Sequence, residues 1–248
     1  MKHLLILNPN TSTSVSERLQ QHVQAMAGDQ ARVSVATASF GAPYIADEAS
    51  YAVAAHAALD TWARAIQGSP EAPGETPDAV LIGCFGDPGL FALRESSAVP
   101  VSGLAEASFL SAIEKGRFAI VTGGDRWAAM LRRLAQNLGE ADHLSTIVTV
   151  APTGAELAAD AELAKRELGK ACQQALEAGP VDSIILGGAG LVGLAQLIQG
   201  SCPVPLIDSV LVSAQRALDG RLPPSPRRSD GFACPWTGLS PAMTRLSA

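Results

Sequence analysis

The chain has 248 residues, 47% of them hydrophobic, which is enough for one large globular domain or two small ones. Its formal net charge of −6 argues against a nucleic-acid partner, because phosphate binding requires a basic surface. No apolar run approaches the ~20 residues of a membrane span, so we expect no membrane partner and a cytoplasmic location. The four cysteines have neither metal-ligand spacing nor a dense disulfide pattern, which predicts free thiols and no metal site.

Short apolar runs alternate with longer alanine-rich segments, which predicts an α/β fold with parallel-rich sheets flanked by helices. The predicted strands are Lys2–Leu7, Arg32–Ala36, Ala79–Ile82, Val101–Ser102, Arg117–Val121, Ser145–Val150, Ser183–Leu186 and Val204–Ile207. The predicted helices are Ser14–Met26 (capped by Thr11 or Ser12), Ser50–Gln67, Glu106–Ile113, Arg126–Leu138, Ala155–Ala178 and Ser209–Leu218. The proline-rich segments 68–77 and the tail after Gly220 predict a polar loop and an extended chain.

One segment of the sequence occurs twice. Residues 78–90 (Asp-Ala-Val-Leu-Ile-Gly-Cys-Phe-Gly-Asp-Pro-Gly-Leu) reappear as residues 182–194 (Asp-Ser-Ile-Ile-Leu-Gly-Gly-Ala-Gly-Leu-Val-Gly-Leu), with three glycines in register. Each copy predicts a strand, a tight glycine turn and a short helix. The duplication predicts two pseudo-symmetric lobes, residues 1–102 with 209–248 and residues 103–208, with the paired turns facing a ligand in the cleft between them.

The first glycine turn carries Cys84, and the second has Gly188 in its place. Ligands gather at the carboxyl ends of strands in open parallel sheets, so we expect Cys84 to be exposed to the crevice. Backbone N–H groups in such a turn favour the thiolate. The alternative is a small buried cysteine with a packing role, and the repetition of the turn favours the functional interpretation.

Small polar residues end the first predicted strand of each lobe. The run Asn8-Pro-Asn10-Thr-Ser12 suits a carboxylate or amide ligand, and it equally suits a helix cap. The segment Thr122-Gly-Gly-Asp125 has the equivalent position in the second lobe and the same two interpretations. We expect Asp47, Glu48 and His56 on a solvated helix face. For Asp87, beside Cys84, three roles stay open: solvated, bracing the turn, or raising the pKa of the thiol.

A competing motif overlaps the second turn. Residues 188–193 match the dinucleotide fingerprint G-x-G-x-x-G, and Asp208 follows at a distance suited to a ribose. The motif occurs late in the chain, its following helix is short, and the duplication already explains its glycines. These points disfavour a nucleotide site.

Several of these pieces together are similar to the aspartate/glutamate/hydantoin racemase superfamily, and most closely to its hydantoin and allantoin racemase branch. The matching pieces are Asn8-Pro-Asn-Thr-Ser12, Pro43-Tyr-Ile45, Gly83-Cys-Phe-Gly-Asp-Pro-Gly-Leu90, Gly103-Leu-Ala-Glu106, Phe118-Ala-Ile-Val-Thr122, Ile185-Leu-Gly-Gly-Ala-Gly-Leu191 and Pro205-Leu-Ile-Asp208. The resemblance implies a cofactor-independent racemase with a small carboxylate, amino acid or hydantoin-like substrate. Two cysteines would flank the substrate's α-carbon, one removing a proton and the other delivering one. We also expect a homo-oligomer.

The chain departs from that pattern at one of the two cysteines. Cys84 matches the first, whereas Gly188 stands where the second belongs, and Gly123 also departs from the usual threonine. We expect Cys84 to be catalytic and the substrate to contact Asn10, Tyr44, Phe85, Gly86, Thr122, Gly188 and Ala189. Two alternatives stay open: a decarboxylase of malonate-type acids, similar to the single-cysteine arylmalonate decarboxylases, and a catalytically silent ligand-binding protein.

Overall fold

The computed structural model describes residues 1–68, 74–224 and 231–247 of the chain. The chain divides into two compact units. Unit 1 comprises Met1–Gly83, Asp87–Gly103 and Ala214–Ala248, and unit 2 comprises Cys84–Gly86 and Leu104–Ser213. Each unit holds a four-stranded sheet whose strand pairs are all parallel, so the predicted α/β class is confirmed. The predicted lobe boundaries and the cleft stay predictions.

The strands and helices follow one another in the order expected for parallel sheets. In chain order they are β1 (Lys2–Asn8), α1 (Thr13–Ala27), β2 (Ala31–Thr37), α2 (Glu48–Gln67), β3 (Ala79–Ile82), α3 (Leu90–Ser96), β4 (Val101–Gly103), α4 (Leu104–Ile113), β5 (Phe118–Gly123), α5 (Trp127–Leu138), β6 (Leu144–Val150), α6 (Gly154–Ala159), α7 (Ala161–Glu177), β7 (Ser183–Gly187), α8 (Leu194–Ile198), β8 (Leu206–Asp208), α9 (Ser209–Leu218) and α10 (Pro241–Arg245).

The sheet of unit 1 has the strand order β2-β1-β3-β4. The run Leu4–Leu7 of β1 is buried throughout, as is the whole of β3, because helices cover both faces of a parallel sheet. β2 pairs with one edge of β1, and β3 pairs with the other edge. The carboxyl ends of β1 and β3 therefore flank the point where the strand order reverses, which is where ligands bind in open α/β sheets.

The sheet of unit 2 repeats this arrangement with the order β6-β5-β7-β8. Its strand order reverses at β5, and Thr122 of β5 pairs with Gly187 of β7 at the carboxyl end. The core beneath one face is formed by small and aliphatic side chains of β5, β7, α7 and α8, among them Val121, Leu168 and Ile184. The glycine turn after β7 thus lies at the reversal point of this unit.

One predicted helix is interrupted. The sequence predicts a continuous helix over residues 155–178, but the structure has α6 and α7 with a break at Asp160. The Asp160 carboxylate accepts hydrogen bonds from the backbone N–H groups of Glu162 and Leu163, both at 3.0 Å, and so caps the start of α7. Thr153 and Glu156 form a capping box at the start of α6, and their hydrogen bonds lower the pKa of the Glu156 carboxyl.

The tail is not simply extended. Residues 225–230 lie outside the described part, but the described residues after them form α10 and pack on α2. The buried Phe232 ring meets Trp62 of α2 edge-on with 5.9 Å between ring centroids. The Gln67 side chain donates a 2.7 Å hydrogen bond to the carbonyl of Ala242. This segment is therefore part of the folded core of unit 1.

Two kinds of site are absent from the described ranges of the chain. None of the helices there has both the length and the apolar character that a membrane span requires. Nor do the His, Cys, Asp and Glu side chains of those residues form a cluster of three that could hold a metal ion.

Candidate active site

The first glycine turn begins at Gly83, directly after β3, where there is no space for a side chain. The backbone N–H of Gly83 donates a 2.7 Å hydrogen bond to Leu7, and a Cβ at Gly83 would lie 2.9 Å from a methyl of Leu19. After Cys84, Asp87 has a positive φ of 54° and is buried, with its carboxyl against Gly103. Asp87 therefore braces the turn, one of the three roles left open by the sequence.

The three residues Cys84–Gly86 belong to unit 2, although the strand before them belongs to unit 1. The Phe85 ring covers Gly187, where a Cβ would lie 2.2 Å from the ring, and it meets Phe109 edge-on at 6.2 Å between centroids. The Trp127 indole covers Gly86, where a Cβ would lie 2.3 Å from Cζ3. We call these three residues the cysteine tripeptide. It is held between Phe109, Gly187 and Trp127.

Cys84 is less accessible than the sequence suggested. The residue retains 8% of its surface, compared with 3% for Cys172, so the expected open exposure is wrong.

The second glycine turn is held by hydroxyl groups. The buried Thr122 hydroxyl donates a 2.7 Å hydrogen bond to the carbonyl of Gly187, and the Gly188 N–H donates to the Ser209 hydroxyl at 3.2 Å. Thr122 therefore fixes the end of β7 through its hydroxyl hydrogen. Because Phe85 covers Gly187, the structure brings the two repeated turns into contact at the residue next to Gly188.

Position 188 has space but a backbone that favours glycine. A Cβ there would come no closer than 3.6 Å to Leu191, which is an ordinary contact. The φ of Gly188 is 146°, in a region that L residues rarely adopt. In the first turn the comparable φ of 145° occurs at Gly86, two residues after the position matching Gly188. The second turn is thus not a copy of the first with one side chain removed.

Asp208 acts as a structural link beside this turn. Its carboxylate accepts from the Gly193 N–H at 2.6 Å and from the N–H groups of Val210 and Leu211 at 3.0 and 3.1 Å. It therefore fastens the second turn to the start of α9. The backbone of Gly190 packs against Gly154, where an added Cβ would lie 2.7 Å from the Gly190 Cα. Both observations favour a structural origin for the dinucleotide-like pattern.

The loop after β1 presents one amide group. Asn8 is fully buried and bonds Ser12 and Ser16, while its Oδ1 accepts from the Asn10 N–H at 3.2 Å. Asn10 is 8% exposed, and its Oδ1 accepts from Ser12 N–H at 2.9 Å. Within residues 1–68, 74–224 and 231–247, nothing accepts a hydrogen bond from its Nδ2 group. Asn10 is thus oriented by the oxygen end of its amide.

The remaining predicted positions have diverse surroundings. Tyr44 is 53% exposed in unit 1, and Ala189 is half-buried in the turn after β7. Asp47 caps α2 with Ser50, and the half-buried His56 ring lies 4.9 Å from Phe40. Ser12 is the N-cap of α1 without a side-chain cap bond.

Two cysteines away from the turns contact each other. Cys172 of α7 hydrogen-bonds Cys202, and burial raises the pKa of the Cys172 thiol to about 12, with Cys202 adding to the rise. Cys202 packs against the core of unit 2. Cys172 and Cys202 therefore lie with the core of unit 2 and not in either glycine turn.

The sequence model of the Asp/Glu/Hydantoin racemase family matches residues 4–217. The chain belongs to this family. A hydantoin racemase from Paenarthrobacter aurescens is 31% identical over 208 residues, which are 84% of this chain and 86% of that protein. The structure of allantoin racemase from Klebsiella pneumoniae superposes with a TM-score of 0.82 at 27% identity, covering 100% of this chain and 99% of that one. Allantoin racemase from Pseudomonas fluorescens gives a TM-score of 0.78 at 25% identity, over 88% and 89% of the two chains.

Two residues of this region were missed by the sequence analysis. Trp127 covers Gly86, and Ser209 bonds the N–H of Gly188. The scarcity of aromatic residues, 4% of the chain, makes a tryptophan directly after Thr122-Gly-Gly-Asp-Arg126 a usable signal. Ser209 gave no comparable signal, because serine at a helix start is common.

Proposed function

We propose that this family member is a cofactor-independent isomerase that exchanges a proton at a carbon next to a carbonyl or carboxylate. Cys84 is the thiol acid/base, and a hydantoin-type compound is the substrate. The observation that carries the proposal is the seating of the cysteine tripeptide, whose Phe85 ring rests on Gly187, directly beside the position of the family's second cysteine. Family membership and 31% identity to a hydantoin racemase support the reaction class. A homo-oligomer and a cytoplasmic location stay predictions.

The proposed step is a proton transfer between sulfur and carbon. The Cys84 thiolate takes the α-proton, the C–H electron pair moves into an enolate, and the S–H group later returns a proton to carbon. Backbone N–H groups of the glycine turns would stabilise the enolate oxygen, an effect worth on the order of 10²–10³ in rate per donor. In this proposal Gly86 and Ala189 line the substrate, and the expectation that Asn10 and Tyr44 contact it stays a prediction from the sequence.

The missing second thiol gives the reaction a distinctive isotopic signature. Gly188 has no side chain that carries a proton, so protonation from the opposite face requires another donor, such as water. Return of a proton from Cys84 to the same face is then faster than inversion. When the S–H hydrogen exchanges with D₂O before it returns to carbon, solvent deuterium enters the unreacted enantiomer as well as the product, whereas a two-thiol racemase labels mainly the product.

The test uses one enantiomer of a 5-monosubstituted hydantoin in D₂O. NMR follows loss of the 5-H signal, chiral chromatography follows inversion, and a protein-free sample corrects for spontaneous exchange. Cys84→Ser should abolish the catalysed exchange, while the matched change at the exposed Cys234, Cys234→Ser, should leave it intact. Equal exchange by the Cys84→Ser protein would refute the role of this thiol. Tight hydantoin binding without exchange would support a silent binding protein instead.

A second candidate is decarboxylation of malonate-type acids, and the absence of a proton-carrying side chain at Gly188 favours it. The bond between the α-carbon and one carboxylate breaks, CO₂ leaves, and the electron pair forms an enediolate. Cys84 then protonates one face, and solvent restores its proton. Disubstituted malonates that release CO₂ only with intact Cys84 would support this candidate. Untouched malonates together with racemised hydantoin would exclude it.

A further inference from the structure

We propose that Trp127 is a positioning residue for the Cys84 thiol, an inference that rests on the proposed function of Cys84. Trp127 is the first residue of α5 and is only 5% exposed. The edge of its six-membered ring lies over Gly86, where an added Cβ would be 2.3 Å from Cζ3 and 2.9 Å from Cη2. The indole therefore occupies the space that any side chain at position 86 would need.

This contact restrains the cysteine tripeptide from one end, and Phe85 restrains it from the middle. The Phe85 ring is 4% exposed and rests on Gly187 and Phe109, and Phe109 is tilted against Phe118 at 5.2 Å between centroids. Gly86 has a φ of 145°, a region that L residues rarely adopt, and Asp87 braces the chain directly after it. The indole adds a restraint at Gly86 itself.

Restraint of the tripeptide matters because proton transfer is sensitive to distance. A displacement of the reacting group by about 1 Å costs on the order of 10²-fold in rate. Trp127 does not need to touch the substrate to have this effect. Its loss is expected to reduce kcat much more than it changes KM, since the indole itself makes none of the proposed substrate contacts.

The first experiment compares Trp127→Leu, Trp127→Phe and Trp62→Phe. Trp62 is a buried tryptophan of unit 1 that packs on Phe232, so its variant controls for loss of a core indole. We expect Trp127→Leu to lower kcat for deuterium exchange about 10²-fold with little change in KM. Trp127→Phe should recover part of the loss, because a smaller ring still covers Gly86, and Trp62→Phe should retain kcat.

The second readout does not need a substrate. Alkylation of Cys84 by iodoacetamide is followed by peptide mass spectrometry over a range of pH, which separates it from the other three cysteines. We expect Trp127→Leu to change the rate and the pH profile of Cys84 alkylation several-fold, and Trp62→Phe to leave both unchanged. If the unchanged protein acts on none of the substrates, the proposed function fails, while this readout still tests the positioning role.

A double-mutant comparison tests the contact itself. Gly86→Ala places a methyl group against the indole, so part of its effect on Cys84 alkylation should disappear when Trp127 is already leucine. Independent, multiplicative effects of the two changes would overturn the proposal. So would a folded Trp127→Leu protein whose Cys84 alkylation profile and kcat equal those of the unchanged protein.

Discussion

Replacing Gly187 by alanine tests whether the ring of Phe85 holds the cysteine tripeptide in place. The new methyl carbon would lie 2.2 Å from Cε1 of Phe85, about 1.5 Å inside an ordinary carbon–carbon contact. The ring cannot move freely, because Phe85 is buried and packs on Phe109. We expect overpacking of this kind to lower the free energy of unfolding by about 1–3 kcal/mol.

The same change should reduce activity more than stability alone explains. A shift of Phe85 by more than 1 Å carries Cys84 with it, so we expect a loss of roughly 10²-fold in the deuterium-exchange rate of folded protein. Urea unfolding gives the stability, and exchange is measured where the variant is fully folded. Gly123→Ala is the matched control, since its Cβ would meet only a carbonyl oxygen at 3.6 Å. Unaltered stability and exchange in Gly187→Ala would refute this account of the Phe85 contact.

Three further predictions concern stability. Gly188→Ala should lower the free energy of unfolding by about 1–3 kcal/mol, because φ there is 146°, although a methyl group has enough space. Urea unfolding measures this free energy, and an unchanged value would show that the turn readily changes conformation. Gly169→Ala in α7 should raise the thermal midpoint, with a gain of about 0.5–1 kcal/mol, since its Cβ would meet nothing within 4 Å. Burial raises the pKa of the Cys172 thiol to about 12 in the folded protein. The contribution of this thiol to the free energy of unfolding is therefore complete below the ordinary thiol pKa and falls as the pH rises above it. The stability difference between the unchanged protein and Cys172→Ala should therefore narrow in alkaline urea titrations, and a constant difference would contradict the shift.

The bounds of some strands and helices can be predicted from the sequence, because the residues that set these bounds lie within or beside the element itself. The predicted bounds of β3 and α9 agree with the structure, since β3 is an uninterrupted apolar run and Asp208 gives α9 a distinct start. The break at Asp160 was not predicted, because residues on both sides favour helix equally. An aspartate in such a run suits either an exposed helix face or an N-cap, and only the hydrogen bonds to Glu162 and Leu163 decide.

The candidate site was predictable only in its parts. The repeated glycine turns and the exchange of cysteine for Gly188 are visible in the sequence, but the packing of Phe85 on Gly187 joins residues far apart in the chain. The burial of Cys84 depends on how the folded chain packs around the turn, so it could not be read from local spacing. The φ of Gly188 is likewise a property of the folded turn.

The aromatic contact between Phe232 and Trp62 has a practical consequence for anyone who shortens this gene. The family match ends at residue 217, so a cut placed by sequence comparison alone would discard Phe232 and α10. Trp62, which is fully buried in the intact chain, would then be exposed to water. The resulting exposed hydrophobic surface would favour aggregation during purification. Anyone preparing crystals or a minimal catalytic fragment should keep the last residues.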